Sequence, residues 1–222
     1  MALTHRPSSA REAAALLAEA DRGGLTVRPR GSGTKLGWGA PAPEPDVELA
    51  TDRLDRIVEH NAGDLTAVLQ AGVRMADAQA AFAEAGQMLA LDPPLGAGND
   101  LLPASEYSAT LGGVVATADV GPLRHRYGAP RDLLLGVTVA LPDGTVARAG
   151  GKVIKNVAGY DLAKLFAGSF GTLGVVVEVV VRLHPRPRAT ATALGAGDDA
   201  GAVARAARGL TNLPLELEAL DV

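Results

Sequence analysis

Cysteine is absent from all 222 residues. That excludes disulfides, cysteine zinc sites and cysteine-ligated iron–sulfur clusters on this chain, and it suits a reducing compartment such as the cytoplasm. Aromatic residues make up only 3% of the chain, so a ligand cannot be held mainly by stacking on many rings. There is no excess of positive charge. The formal net charge is −4, which argues against a broad nucleic-acid surface. No apolar run approaches the length of a membrane span. The opening MALTHRPSSAREAAALLAEA has no continuous apolar stretch, so a secretion signal is not expected.

Hydrophobic residues, by contrast, form 47% of the chain, enough for a packed core in one large domain or one domain and part of a second. Ser9 and Glu12 form a capping-box pattern ahead of Leu16, Leu17 and Ala20, and Gly23-Gly24 stops that helix. Leu25 to Val27 reads as a short strand and Val47 to Thr51 as another. Leu54, Ile57 and Val58 mark a short helix ending near Gly63. Thr66 to Leu69 reads as a strand, Met75 to Ala85 as a helix and Met88 to Leu91 as a strand. This half has an α/β character with parallel crossovers. Further on, Pro142-Asp143-Gly144 separates Val137–Leu141 from Thr145–Arg148 as a hairpin. Val175 to Leu183 is a long apolar strand, with Val176, Glu178, Val180 and Arg182 on one face. The fold class is α+β: an α/β subdomain followed by a mixed or antiparallel sheet. After Pro187 the pattern changes to strand, helix and strand over Ala189–Leu194, Asp199–Arg208 and Leu215–Leu220. That is the opening of a further domain.

Three glycine-rich stretches carry the chemistry. In PRGSGTKLGWG, Pro29 to Gly39, the glycines satisfy a loose G-x-G pattern, but Trp38-Gly39-Ala40-Pro41 leaves no room for the helix of a Rossmann site. The loop itself would have to supply donors for a phosphate, with Arg30 and Lys35 adding charge. Taken alone, such a loop reads better as an ordinary surface turn. A P-loop is excluded, because neither Lys35 nor Lys152 is followed by Ser or Thr. In LGGVVATADVG, Leu111 to Gly121, the residues fit a ligand loop or a tightly packed buried strand. In Gly151 to Leu183, the residues fit an opened backbone, or a helix, turn and strand with Asp161 as N-cap and Leu162, Leu165 and Phe166 inward.

Their order is more telling. PRGSGTKLGWG, then TLGGVVATADVGPLRHRYGAPRDLLLGV, then KNVAGYDLAKLFAGSFGTLGVVVEVVVRLHPRP together resemble the FAD-binding domain of the vanillyl-alcohol oxidase and p-cresol methylhydroxylase (PCMH) type. Within that family they are nearest to the FAD-binding E subunits of bacterial glycolate oxidases. The resemblance runs from about residue 5 to 188. It implies a PCMH-type domain over 1–188, with subdomains near 1–91 and 92–188, and a truncated C-terminal α/β cap domain beginning at 189–222. It implies FAD as the cofactor. Pro29, Arg30, Gly31, Ser32, Gly33, Thr34 and Lys35 match the pyrophosphate loop. Pro93 and Pro94 match a turn near the flavin. Thr110, Gly112, Gly113, Ala116 and Thr117 match a strand-loop under the diphosphate and rings. Gly171, Gly174 and Val176 match the adenine side. Arg131-Asp132 matches a recurrent pair whose carboxylate orients the arginine.

The pyrophosphate loop has Thr34 and Lys35 where many relatives of this type carry a flavin-linking histidine, so FAD is expected to be non-covalent. His5 and His60 read as solvent-facing, His125 as a surface histidine and His184 as a strand-end one. No catalytic base and no metal site are assigned. The resemblance implies a subunit of a 2-hydroxy-acid (glycolate) oxidase or dehydrogenase. Its partners would be a larger catalytic flavoprotein subunit and an iron–sulfur subunit, with a small 2-hydroxy acid as substrate of the complex. Nucleic acid and a direct membrane span are not expected. The place would be the cytoplasm, or the inner face of the membrane through the partners. A stand-alone FAD oxidoreductase with a shortened substrate domain, or a non-catalytic assembly subunit, are the other readings.

Overall fold

The structure is a computed structural model, and it describes residues 2–94, 109–152 and 160–221. In chain order it contains β1 (Leu3–His5), α1 (Ala10–Arg22), β2 (Val27–Arg30), β3 (Val47–Ala50), β4 (Ile57–Asn61), β5 (Thr66–Gln70), α2 (Met75–Glu84) and β6 (Gln87–Met88). Then come α3 (Leu111–Thr117), α4 (Arg124–Tyr127), α5 (Pro130–Leu133), β7 (Leu134–Ala140), β8 (Val146–Gly150), β9 (Val175–Arg182), β10 (His184–Pro185) and α6 (Ala200–Thr211).

Local chemistry sets the first helix. The Ser9 hydroxyl accepts from Glu12 N at 3.2 Å, and the Glu12 carboxylate accepts from Ser8 N at 2.7 Å. The reciprocal box is thus shifted by one residue, and the bonds from the Ser8 N–H and hydroxyl hold the Glu12 carboxyl below its usual range. Gly24 takes the left-handed turn that ends the helix.

A small parallel sheet has the order β1-β3-β2. Pro29 sits in β2, an edge strand, where its missing N–H costs no ladder bond. The larger sheet runs β4-β5-β9-β7-β8 with every neighbour antiparallel. Its central strand β9 reads VVVEVVVR and is buried on both faces. Val175 and Val177 face Leu17 and Leu49, while Val176, Val179 and Val181 face the core around Phe82 and Leu111. A bulge makes this possible. Thr138 pairs with Glu178 and Val139 with Val176, leaving Val177 as the extra residue. One added residue flips the alternation, so the second half of β9 changes face. Val176 therefore shares its core with Val179 and Val181, not with Val180 and Arg182.

Four further expectations are corrected. Residues 54–63 form no helix; Ile57–Asn61 is β4, paired with β5. Its β-branched pair Ile57-Val58 suits a strand, and Leu54 is buried just before it. Residues 111–117 are a helix and not a strand. An apolar run buried all round has no period to distinguish the two. Leu162 and Leu165 are exposed on a 3-10 turn, and Ala163 is the residue buried there. Beyond residue 188, α6 forms with Asp199 as its N-cap, but 189–194 and 215–220 form no strands. Residues 189–194 are exposed throughout and 215–220 are exposed or half-buried, so water can serve their backbone groups in place of a ladder.

The histidines differ in setting. His60 is half-buried, with Nε2 at 2.9 Å from Gln87 Oε1 and its ring edge-on to Phe82 at 4.9 Å, so it belongs to the core and not to solvent. His184 stacks at a tilt on Tyr127, 4.8 Å away, and burial together with Arg182 lowers its pKa. His125 is exposed.

Candidate cofactor site

A cleft of about 290 Å³ opens beyond the carboxyl ends of the parallel strands β2 and β3. This is where ligands of open parallel sheets bind. Its walls are the end of β2 with the 31–38 loop, Ala42, Thr51, residues from both ends of the 110–117 segment, and the 170–176 turn leading into β9. Pro29, Arg30, Gly31, Ser32, Gly33, Thr34, Lys35, Thr110, Gly112, Gly113, Ala116, Thr117, Gly171, Gly174 and Val176 all line it. Three segments far apart in sequence are thereby brought together. Pro93 and Pro94 are not part of this lining. They follow Asp92, whose carboxylate accepts from Leu123 N at 3.2 Å and whose pKa burial raises. Residues 153–159, the lysine- and asparagine-bearing part of the third stretch, lie outside the described residues.

The walls are fastened by backbone. Gly112 N–H donates to Ala71 O at 2.8 Å and Leu111 N–H to Val73 O at 2.8 Å, pinning the start of α3 to the end of β5. A Cβ at Gly112 would sit 2.6 Å from Ala71 Cβ, so only glycine permits this approach. At the other end of α3, Val115 O and Ala116 O accept from Gly168 N and Phe170 N at 3.0 and 2.8 Å. The 168–174 turn is thereby held over the helix.

The positive charge is arranged differently from expectation. Arg28 and Arg30 both engage Glu48, at 3.4 and 2.6 Å. Lys35 Nζ lies 2.7 Å from Asp119 Oδ2, with the two side chains only 6% and 2% exposed. Charge attraction holds the pair. Each basic side chain near the loop already has an acidic partner. What the loop leaves open is its main chain. The amides of Gly33, Thr34 and Lys35 have no acceptor among the described residues, and Gly33 takes φ +78°. Successive free amides turned through a left-handed glycine form an anion-binding concavity.

Thr110 sharpens the fit. Its Oγ1 is buried and has no hydrogen-bond partner. Gly31 presses directly on it, since a Cβ there would lie 1.9 Å from that oxygen. A buried hydroxyl left without a partner calls for one from a ligand or water. The Thr117 hydroxyl is not comparable, because it donates back to Gly113 O at 2.8 Å. Free loop amides, an unpartnered hydroxyl and close glycine backbone fit the diphosphate of a dinucleotide. Leu36, Trp38, Phe170 and Val175 also line the cleft, and the sequence motifs had not singled them out. Their apolar character beside the glycines of the two loops was the available signal. Arg131-Asp132 is structural in another way than expected. The Asp132 carboxylate accepts from Ala129 N at 2.8 Å, and Arg131 Nη1 donates to Lys164 O at 2.9 Å, so neither orients the other.

Fold and cleft together define a dinucleotide-binding α+β domain. A family model described as "FAD binding domain" matches residues 1–150, and the chain belongs to that family. It is 35% identical over 200 residues to the glycolate oxidase subunit GlcD of Bacillus subtilis, covering 89% of this chain and 40% of that protein. It is 37% identical over 163 residues to the glycolate oxidase subunit GlcE of Escherichia coli, covering 72% of this chain and 43% of that protein. Among solved structures, an alkyldihydroxyacetonephosphate synthase superposes with a TM-score of 0.68 at 25% identity, over 84% of this chain and 32% of that one. The chain spans about two fifths of the length of these curated relatives. No helix of the described residues is long and apolar enough to cross a membrane.

Proposed function

We propose that residues 1–188 bind FAD non-covalently, as the flavin-holding part of a 2-hydroxy-acid oxidoreductase built from several subunits. The observation that carries this reading is the cleft, whose lining brings Gly33, Thr34 and Lys35, with amides that have no acceptor among the described residues, together with Thr110 and its unpartnered hydroxyl. In this reading the amides take the diphosphate, with Arg30, Gly31 and Ser32 shaping the loop. Thr110, Gly112, Gly113, Ala116 and Thr117 form the floor. Gly171, Gly174 and Val176 form the wall. Pro93 and Pro94 lie towards the flavin end. Bound FAD would supply two-electron redox chemistry at its ring system. The chain's own residues bind it, orient it and keep its backbone contacts short.

Proton removal from a hydroxy acid needs a base in reach, and no histidine among the described residues lines the cleft. That favours division of labour. A larger catalytic flavoprotein subunit and an iron–sulfur subunit would complete the assembly, acting on a small 2-hydroxy acid such as glycolate. Any cysteine-ligated cluster would sit on another chain, because this one has no cysteine. Residues 189–222 would begin a further domain.

The test is anaerobic reduction. The FAD-loaded chain alone should stay yellow with glycolate or D-lactate, and should bleach only when the partner subunits are added. Bleaching of the isolated chain would instead make it an enzyme in its own right. A chain that takes up no FAD would remove the reading altogether.

A further inference from the structure

Phe170 adopts φ +52°. For a bulky L-residue this is a strained conformation, and such strain concentrates where a side chain has a task. Among the described non-glycine residues only Leu65 and Ala118 share it, and Ala118 is the left-handed cap that ends α3. Glycines with positive φ stand at 168 and 171, yet position 170 carries a phenylalanine. The conformation is held by its N–H, which donates to Ala116 O at 2.8 Å. Core burial does not account for the ring, which is 51% exposed.

The ring lines the cleft together with Trp38, itself 46% exposed. In a chain with three phenylalanines and one tryptophan, two of these rings stand at one opening. The turn beneath Phe170 is fixed to β2, since a Cβ at Gly171 would meet Pro29 Cγ at 3.2 Å.

We propose that Phe170 and Trp38 form the stacking platform for the adenine ring of FAD. This rests on the flavin reading above and adds the side chains that hold the ring at its adenine end. Stacking on an aromatic face recognises any planar base. The choice between the two ring systems follows from water. The reacting flavin ring works best where water is excluded, whereas a half-open aromatic pair suits the ring that does not react.

The test uses ADP and FMN as separate probes of the two halves, read by fluorescence of Trp38, the single tryptophan. Phe170→Gly relieves the positive φ, so its melting temperature should equal or exceed that of the parent chain. Its Kd for ADP should rise about tenfold or more, while binding of FMN stays within about twofold. Phe170→Leu keeps the bulk and the strain but loses the aromatic face, and it should weaken ADP binding too; this variant decides the matter if Phe170→Gly melts early. Unchanged ADP affinity in both variants, or a loss confined to FMN, overturns the platform and leaves FAD binding standing. Failure of the parent chain to bind FAD or ADP overturns both.

Discussion

Removing the ammonium of Lys35 should be among the most damaging single changes to this domain. Lys35 and Asp119 lie 2.7 Å apart with almost no solvent access. They join the 31–38 loop to the residue just beyond the C-cap of α3. In Lys35→Met the Asp119 carboxylate would stay buried without a counter-charge. Breaking a buried pair in this way costs about 3–5 kcal/mol, whereas an exposed pair is worth about 0–1 kcal/mol. For a chain of this size that corresponds to a fall in Tm of about 6–20 °C. Urea unfolding of the FAD-free protein at neutral pH, followed by far-UV circular dichroism, gives the stability directly. The double variant Lys35→Met/Asp119→Leu should recover most of the loss, because no buried charge then lacks a partner. A cost below about 1 kcal/mol for Lys35→Met would refute the buried-pair reasoning. It would also leave the Lys35 ammonium available to a phosphate.

Gly31→Ala should displace the Thr110 hydroxyl, which a new Cβ would meet at 1.9 Å; FAD affinity measured by ultrafiltration should fall, and unaltered affinity would remove Thr110 from the site. Phe82 is fully buried among α2 and sheet residues, so Phe82→Ala should cost about 3–5 kcal/mol in urea unfolding. The pKa of His184 is lowered by burial and then by Arg182 and Arg126. The unfolded chain therefore binds the proton more readily, and stability should drop as pH falls through and below the ordinary histidine value of about 6.5. Unfolding curves for His184→Phe should show less of that drop than the parent chain.

Much of this was legible in the sequence where local chemistry decides. Ser9, Glu12 and the glycine pair after α1 mark a helix that forms as read. Pro142-Asp143-Gly144 marks the β7–β8 hairpin, where Gly144 takes φ +87°. The three glycine-rich stretches converge on one cleft, as their order implied. What escaped was decided by tertiary contact. Ile57 and Val58 became strand because β5 offers an edge. The helical nature of 111–117 depends on Gly112 packing against Ala71. The face change at Val177 needs its bulge against β7. The partners of Arg30 and Lys35 are Glu48 and Asp119, 18 and 84 positions along the chain. No local pattern could have shown that the loop's charges are already neutralised, leaving its amides to meet a ligand.

FAD uptake at the cleft is the central claim, and Trp38 offers the most direct measurement of it. Trp38 lines the cleft and is the chain's single tryptophan. Titrating the flavin-free protein with FAD should quench Trp38 emission to a plateau at one equivalent, and acid should then release free FAD. Emission that stays unchanged, with no flavin retained after gel filtration, would contradict the account.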